Sequence, residues 1–136
     1  MPASVMNDEW NPTPDELRTW AYDAGATWPN EDWDLAVTRD DRSAAILQFA
    51  TDLACPSRNF FLRCLYLLVG DAVRSNVAIH RREVVLDLLA RIPDECPPDV
   101  ARWAERSRTL LSGPSDAVDY DLWCAGGYAL AERDND

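Results

Sequence analysis

The side chains best suited to nucleophilic or general acid–base chemistry in this 136-residue chain are one histidine and four cysteines. The histidine, His80, is followed by Arg81 and Arg82, whose positive charge disfavours a protonated imidazole. A cysteine–histidine dyad would require one of the cysteines to meet His80 in the folded chain. We therefore expect no catalytic residue, and a protein that is not an enzyme.

The four cysteines are spaced too far apart to form a Cys-x-x-Cys zinc knuckle or redox pair. Cys64 and Cys124 lie within apolar helical runs, where a free cysteine behaves as a small buried hydrophobic residue. Cys55 and Cys96 each precede a proline at a predicted helix start. A thiol there is either activated by the helix N-terminus or is a small residue at a helix junction.

Carboxylates are abundant, but they lack the companions that a metal site or a pair of catalytic acids requires. Asp32, Asp34, Asp40 and Asp41 could bind a divalent cation only loosely, since no calcium-type loop with a central glycine surrounds them. The five glycines form no Gly-x-Gly-x-x-Gly loop that would bind phosphates. The sequence thus predicts no metal and no cofactor.

Charge is the most unusual property of the sequence. The chain carries 24 carboxylates and 13 basic side chains, all of them arginine, for a net charge of -11. Residues 1–41 hold ten carboxylates and two arginines, residues 42–113 eight and ten, and residues 114–136 six and one. The balances are -8, +2 and -5, so both ends are acidic. Because such a field repels phosphates, we expect no direct binding to nucleic acid or to anionic membranes.

Tryptophan accompanies the acidic residues of the first segment, which contains Trp10, Trp20, Trp28 and Trp33. Aromatic rings supply anchor area at protein interfaces, and carboxylates steer a basic partner and fix its orientation. The alternative is that the tryptophans close the ends of the fold while the carboxylates maintain solubility. The predicted partner-binding residues are Trp28, Glu31, Asp32, Trp33, Asp34, Asp40 and Asp41.

A second charged cluster is basic. Arg102, Arg106 and Arg108 occur on one predicted helix, and the helix before it carries Arg81 and Arg82. We interpret the cluster as an electrostatic complement to the acidic ends of the chain or to another subunit, since the overall charge argues against nucleic acid.

The elements that carry these residues are predicted to be helices. A capping box, with Thr13 as the cap and Glu16 three residues later, begins the first helix, and Gly25 is placed to end it in the left-handed conformation. Residues 26–41 are predicted to be a loop with at most one short helix. Apolar spacing predicts further helices over 42–54, 57–75, 81–92 and 98–112, and a last one from Ser115 or Asp116.

The helix over 57–75 is apolar on most of its circumference, as expected for a helix at the centre of a bundle. Its remaining polar strip either faces water or lines a shallow groove. The strip consists of Asn59, Arg63, Tyr66, Gly70 and Arg74.

These elements predict an all-α fold, a compact bundle of five or six helices with an irregular acidic N-terminal segment. A Cys-Pro pair that recurs after 41 residues, at Cys55 and Cys96, leaves helix-pair solenoid packing as the lesser alternative. We expect one helical domain over 13–133, with tails at 1–12 and 134–136. Because the sequence shows no signal peptide and no apolar run of ~20 residues, we expect a cytoplasmic protein.

The function expected from these observations is non-enzymatic binding of a basic protein, in the manner of an immunity protein or antitoxin. A structural adaptor or homo-oligomeric scaffold, in which arginines of one chain meet an acidic end of another, is a second class. A small helical enzyme or ligand-binding domain is the third, with a candidate groove formed by Asn59, Arg63, Tyr66 and Arg74.

Overall fold

The described part of the chain is mainly helical. The computed structural model describes residues 8–29, 33–74, 79–112 and 123, and within these ranges it contains six α-helices, one 3-10 helix and no strand. The all-α prediction is confirmed for these residues. The helices are α1 (Pro14–Ala21), α2 (Trp33–Val37), α3 (Ser43–Thr51), α4 (Arg58–Arg74), α5 (Ile79–Ala90) and α6 (Pro98–Ser112), with the 3-10 helix at Asp40–Arg42.

The helix predicted from Ser115 or Asp116 lies outside the described residues, apart from Trp123, which is helical. The side chains of His80 and Arg81 in α5 and of Arg74 in α4 also lie outside the described part of the structure.

Helix α1 begins where the capping box predicts. The backbone N–H of Thr13 donates to Glu16 Oε1 at 2.9 Å, and the N–H of Glu16 donates to Thr13 Oγ1 at 3.2 Å. The helix ends at Ala21, and no described glycine has a positive φ, so the prediction of a left-handed Gly25 is wrong. The chain turns there without that conformation because the Asp23 carboxylate accepts a hydrogen bond from the N–H of Gly25 at 2.9 Å.

The segment between α1 and α3 contains the short helix α2 and the 3-10 helix. Trp33 and Val37 anchor α2 because both side chains are buried. Its last turn is closed by Thr38, whose hydroxyl and backbone N–H both donate to Asp34 O, at 2.6 and 3.0 Å. The prediction for residues 26–41 allowed at most one short helix, and the structure has the 3-10 helix in addition to α2.

Helix α3 is shorter than its apolar spacing predicts. It ends at Thr51 because Asp52 is extended and its carboxylate accepts a hydrogen bond from the N–H of Ala54 at 2.9 Å. Leu53 is therefore 76% exposed, and Ala54 is exposed as well. The prediction that this helix extends to residue 54 is wrong.

Helix α4 lies at the centre of the fold, as its apolar circumference predicts. It packs against α2, α3, α5 and α6. Phe61, Leu62, Leu65, Leu68 and Val69 are fully buried along its length. A helix buried on nearly every side gives the surrounding helices a common core.

Helices α5 and α6 are joined by two arginines. Arg82 in α5 donates to Leu111 O of α6 at 2.5 Å, and Arg108 in α6 donates to Leu89 O of α5 at 3.2 Å. Each guanidinium therefore binds a carbonyl in the last turn of the other helix, where helical carbonyl groups lack a partner within their own helix. These contacts give two arginines of the predicted basic cluster a structural role.

Candidate functional site

The acidic, tryptophan-bearing segment is folded onto the rest of the protein. We use the term front layer for its described residues, 8–29 and 33–42. Trp33 Nε1 donates to Glu9 O at 2.7 Å, which ties the start of the layer to α2. Arg42 donates to Asn11 Oδ1 at 2.6 Å and to Ala36 O at 2.9 Å. Residues distant in the sequence are thus held together as one layer.

Aromatic rings attach the front layer to α4. Trp20 and Trp33 lie with ring centroids 4.4 Å apart, and both contact Phe60 of α4, at 4.9 and 5.1 Å. Trp20 Nε1 donates a hydrogen bond to Thr27 O at 3.0 Å. Such edge and stacked contacts add to the free energy gained from burying the rings. Trp20 and Trp33 therefore belong to the core.

A buried ion pair makes a second attachment to α4. Asp34 Oδ2 lies 3.0 Å from Arg63 Nε, with the Asp34 side chain almost completely buried. The Arg63 guanidinium also lies 4.7 Å from the centroid of the Trp28 ring. A buried charge is tolerated when an opposite charge lies beside it, so Asp34 and Arg63 stabilise each other inside the protein.

The predicted partner-binding residues thus separate into buried and accessible ones. Trp33 is 0% exposed and Asp34 is buried against Arg63, so these two cannot contact a partner without rearrangement of the fold. Trp28 is half-buried, since its ring packs against Phe60. In the remainder of the set, Asp40 is half-buried, Asp41 is exposed, and Glu31 and Asp32 lie outside the described residues.

The structure adds two accessible apolar residues that the sequence analysis did not select. Trp10 is 53% exposed and Leu35 is 54% exposed, and both belong to the front layer. Leu35 follows Trp33 by two residues, and at about 100° per residue the two side chains point to opposite sides of α2. The helical period therefore identifies Leu35 as an exposed residue. The alternation of Trp33, Leu35 and Val37 would instead suggest a strand with all three side chains on one face.

The polar strip of α4 is largely covered. Tyr66 and Gly70 are buried, so the alternative in which the strip faces water is wrong for these two residues, and Arg63 is engaged by Asp34 and Trp28. Burial raises the pKa of the Tyr66 hydroxyl, and the positive charge of Arg106 opposes that rise.

Asn59 is the remaining member of the candidate groove whose side chain is described. It is half-buried, and its Oδ1 atom is buried without a hydrogen-bond partner among the described residues. With Tyr66 inside the core and Arg63 in an ion pair, the described members of the strip do not form a shared open surface.

Two of the described cysteines, Cys55 and Cys64, are buried. Cys55 is buried, its Sγ donates to Ala21 O at 3.2 Å, and burial raises its pKa, so the alternative of an activated Cys55 is wrong. Cys64 is buried as predicted, and burial raises its pKa to about 12. Cys96 is half-buried with a free thiol, and Cys124 lies outside the described residues.

Two further properties concern the described residues alone. They contain no group of three or more histidine, cysteine, aspartate or glutamate side chains arranged to hold a metal ion. None of their helices combines the length and the apolar character required to cross a membrane.

Comparison with known proteins returned no relative. No protein-family model matches the sequence, and neither a curated protein nor a solved structure matches the chain.

Proposed function

We propose that this protein is a non-enzymatic binding protein that engages a basic protein partner through the outer surface of the front layer. The observation that carries the proposal is the exposure of Trp10 and Leu35, two large apolar side chains within an acidic layer. Interface energy concentrates in a few large side chains that a partner removes from water, and tryptophan is prominent among them.

The position of Trp10 supports this role. Both of its neighbours in the sequence are fixed by hydrogen bonds, since Glu9 O accepts one from Trp33 Nε1 and Asn11 Oδ1 accepts one from Arg42. The backbone N–H of Trp10 itself donates to Asp8 Oδ1 at 3.0 Å. An anchor whose backbone is already ordered loses little conformational entropy when a partner binds.

The charge of the front layer supports a basic partner. Its described residues contain eight carboxylates and three arginines, a balance of -5, and of these carboxylates Asp34 is paired with Arg63 of α4. One of these arginines, Arg39, lies 3.5 Å from Asp41, but both side chains are largely exposed, and such pairs contribute little. The layer therefore retains a negative field that accelerates encounter with a positively charged surface.

Within this proposal, neutralisation of a basic toxin by an immunity protein or antitoxin is the biological role that we infer. Small, acidic, helical proteins that neutralise a basic toxin are a general type, and this chain fits it. Its exposed apolar side chains, Trp10 and Leu35, and its negative charge lie in the same layer. The inhibited partner would present a basic surface with an apolar depression that receives Trp10.

Affinity capture from the native lysate tests the proposal. The tagged chain should retain a basic protein at low salt and lose it as salt is raised, because salt screens the steering field. The double variant Trp10→Ala with Leu35→Ala should fail to capture it. The matched control is Leu53→Ala with Leu86→Ala, which removes two exposed leucines outside the front layer and should capture normally. An acidic partner, or equal capture by both double variants, would show that the front layer is not the binding surface.

A further inference from the structure

Trp10 lies in a tight turn, residues 8–11, which is closed by its own hydrogen bonds. The backbone N–H of Asn11 donates to Asp8 O at 3.0 Å, and the N–H of Trp10 donates to Asp8 Oδ1 at 3.0 Å. The Asp8 carboxylate is therefore fixed against the backbone from which the indole side chain extends. Asp8 and Trp10 are both exposed, so the turn presents a carboxylate and an aromatic ring to a partner.

The described arginines leave these two groups accessible. Arg42 and Arg39 both donate to the Asn11 amide oxygen, at 2.6 and 3.4 Å. None of the described arginines forms an ion pair with Asp8 or stacks on the Trp10 ring. A positively charged side chain that contacts both groups must therefore come from a partner or from outside the described residues.

The interior of this protein shows how a carboxylate and a tryptophan ring together bind a guanidinium. Arg63 Nε lies 3.0 Å from Asp34 Oδ2, and the guanidinium carbon of Arg63 lies 4.7 Å from the centroid of the Trp28 ring. One cation thus contacts a carboxylate and an aromatic ring at the same time. The turn 8–11 presents the same two kinds of group at the surface.

Arginine suits such a pair of groups better than lysine does. A guanidinium is planar and weakly hydrated, so it can stack on a ring while the N–H groups at its edge donate to a carboxylate. The ammonium group of lysine is compact and strongly hydrated, and it presents no flat surface to the ring. Charge alone would attract either side chain, whereas the combination of ring and carboxylate favours arginine.

We propose that the turn 8–11 binds one arginine side chain of the basic partner, with the Trp10 ring against the guanidinium and the Asp8 carboxylate as its acceptor. This inference rests on the proposed function and adds the identity of a residue that the partner contributes. The arginine forms one wall of the depression that receives Trp10. The negative field of the front layer steers any basic surface, and the turn then selects arginine over lysine.

Titration of the full chain with two short peptides, followed by NMR, tests the selectivity. The probes are an acetylated and amidated pentapeptide with two arginines and its counterpart with two lysines. The reporter is the Trp10 indole N–H, assigned by its absence in Trp10→Phe. The arginine peptide should shift this resonance with a dissociation constant about fivefold lower than that of the lysine peptide. Equal dissociation constants, or an unchanged Trp10 resonance, would overturn the proposal.

Two variants identify the groups that bind the guanidinium. Trp10→Leu should abolish the preference for arginine, which is then followed at the backbone N–H of Asn11. Asp8→Asn should weaken binding of the arginine peptide about fourfold, the factor for an exposed ion pair. The matched control Asp94→Asn removes one exposed charge between α5 and α6 and should change the affinity by less than about 1.5-fold. Equal weakening by both aspartate variants would show that Asp8 does not bind the guanidinium.

Variants of the captured partner that conserve its charge separate this inference from the proposed function. Each exposed arginine of the partner is changed to lysine in turn. One such change should weaken binding to the wild type about tenfold and have little effect on binding to Trp10→Ala. If capture requires Trp10 and Leu35 but every arginine-to-lysine change is tolerated, the proposed function stands and the arginine site is refuted. Capture that does not depend on Trp10 and Leu35 would instead refute the proposed function.

Discussion

The carboxylate of Asp34 lies 3.0 Å from the guanidinium of Arg63, in a buried ion pair that joins α2 to α4. Asp34 is one of the carboxylates that the sequence predicts to contact a basic partner. Its charge is instead paired with that of Arg63, so the negative charge accessible to a partner comes from other carboxylates, such as Asp41.

Removal of either member of this pair should destabilise the protein. Asp34→Ala removes the carboxylate that neutralises Arg63, and we expect the free energy of unfolding to fall by about 3 kcal/mol. Arg63→Ala should cost the same or somewhat more, because it leaves the more deeply buried Asp34 carboxylate without a counter-charge. Urea denaturation measures both values, and the double variant should cost less than their sum. Strict additivity would mean that the two side chains do not stabilise each other.

Trp33 and Trp10 should affect stability very differently. Trp33→Ala removes a fully buried ring and its hydrogen bond to Glu9 O, so we expect a loss of about 4 kcal/mol in the free energy of unfolding. Trp10→Ala should change it by about 0.5 kcal/mol or less, since that ring is half-exposed. Thermal or urea unfolding of the two variants measures the contrast. Equal losses would contradict the assignment of Trp33 to the core and Trp10 to the surface.

The rate of association with the captured partner should depend on the carboxylates of the front layer. Asp40→Asn with Asp41→Asn should lower the association rate constant, with a smaller effect on dissociation, because charges at the rim of an interface act mainly through steering. Surface plasmon resonance at about 0.05 and 0.5 M NaCl should show the variant to be less sensitive to salt than the wild type. The matched control is Asp94→Asn with Glu95→Gln, an exposed acidic pair between α5 and α6. An identical reduction in the control would assign the effect to net charge alone.

The described cysteines should differ in their reactivity toward alkylating reagents. Burial raises the pKa of Cys64 to about 12 and raises that of Cys55, so both thiols remain protonated at neutral pH. Iodoacetamide should therefore label the half-buried Cys96 in the native protein and label Cys55 and Cys64 only after unfolding. Peptide mass spectrometry identifies each site, and native labelling of Cys64 at the rate of the denatured chain would refute its burial.

The raised pKa of Cys64 also predicts a loss of stability at alkaline pH. The pKa changes from 9.0 to about 12 when the thiol is buried, so folding favours the protonated form. This contribution is fully present below pH 9 and is lost as the pH rises toward 12. The wild type should lose more free energy of unfolding across this interval than Cys64→Ala, which has no thiol to ionise. Parallel pH profiles for the two proteins would contradict the prediction.

Helix starts and the central helix are the parts of the fold that sequence reasoning predicts best. The capping box at Thr13 involves atoms three residues apart, and α4 is recognised because apolar residues surround it. The errors occur at helix ends. α1 stops before Gly25 and α3 stops before Leu53, in both cases where an aspartate side chain binds a nearby backbone N–H. Such local hydrogen bonds compete with the helix and do not alter the apolar pattern.

The candidate site is predicted only in part. The acidic segment, its tryptophans and the excess of negative charge are visible in the sequence. The sequence does not show which of these residues a partner can contact, because their exposure depends on contacts between residues that are distant in the sequence. Trp33 is buried against Phe60 of α4 and bound to Glu9, while Trp10, in the same segment, remains exposed.

Four properties of this protein follow from the order of its residues: the all-α class, the central position of α4, the start of α1 and the distribution of charge along the chain. These properties depend on composition and on residues within about one helical turn of each other. Long-range contacts, by contrast, place Asp34 and Trp33 in the core and leave Trp10 and Leu35 facing water. Asp34 can be buried because it pairs with Arg63, which lies 29 positions away in the sequence, and no local sequence pattern indicates that pairing.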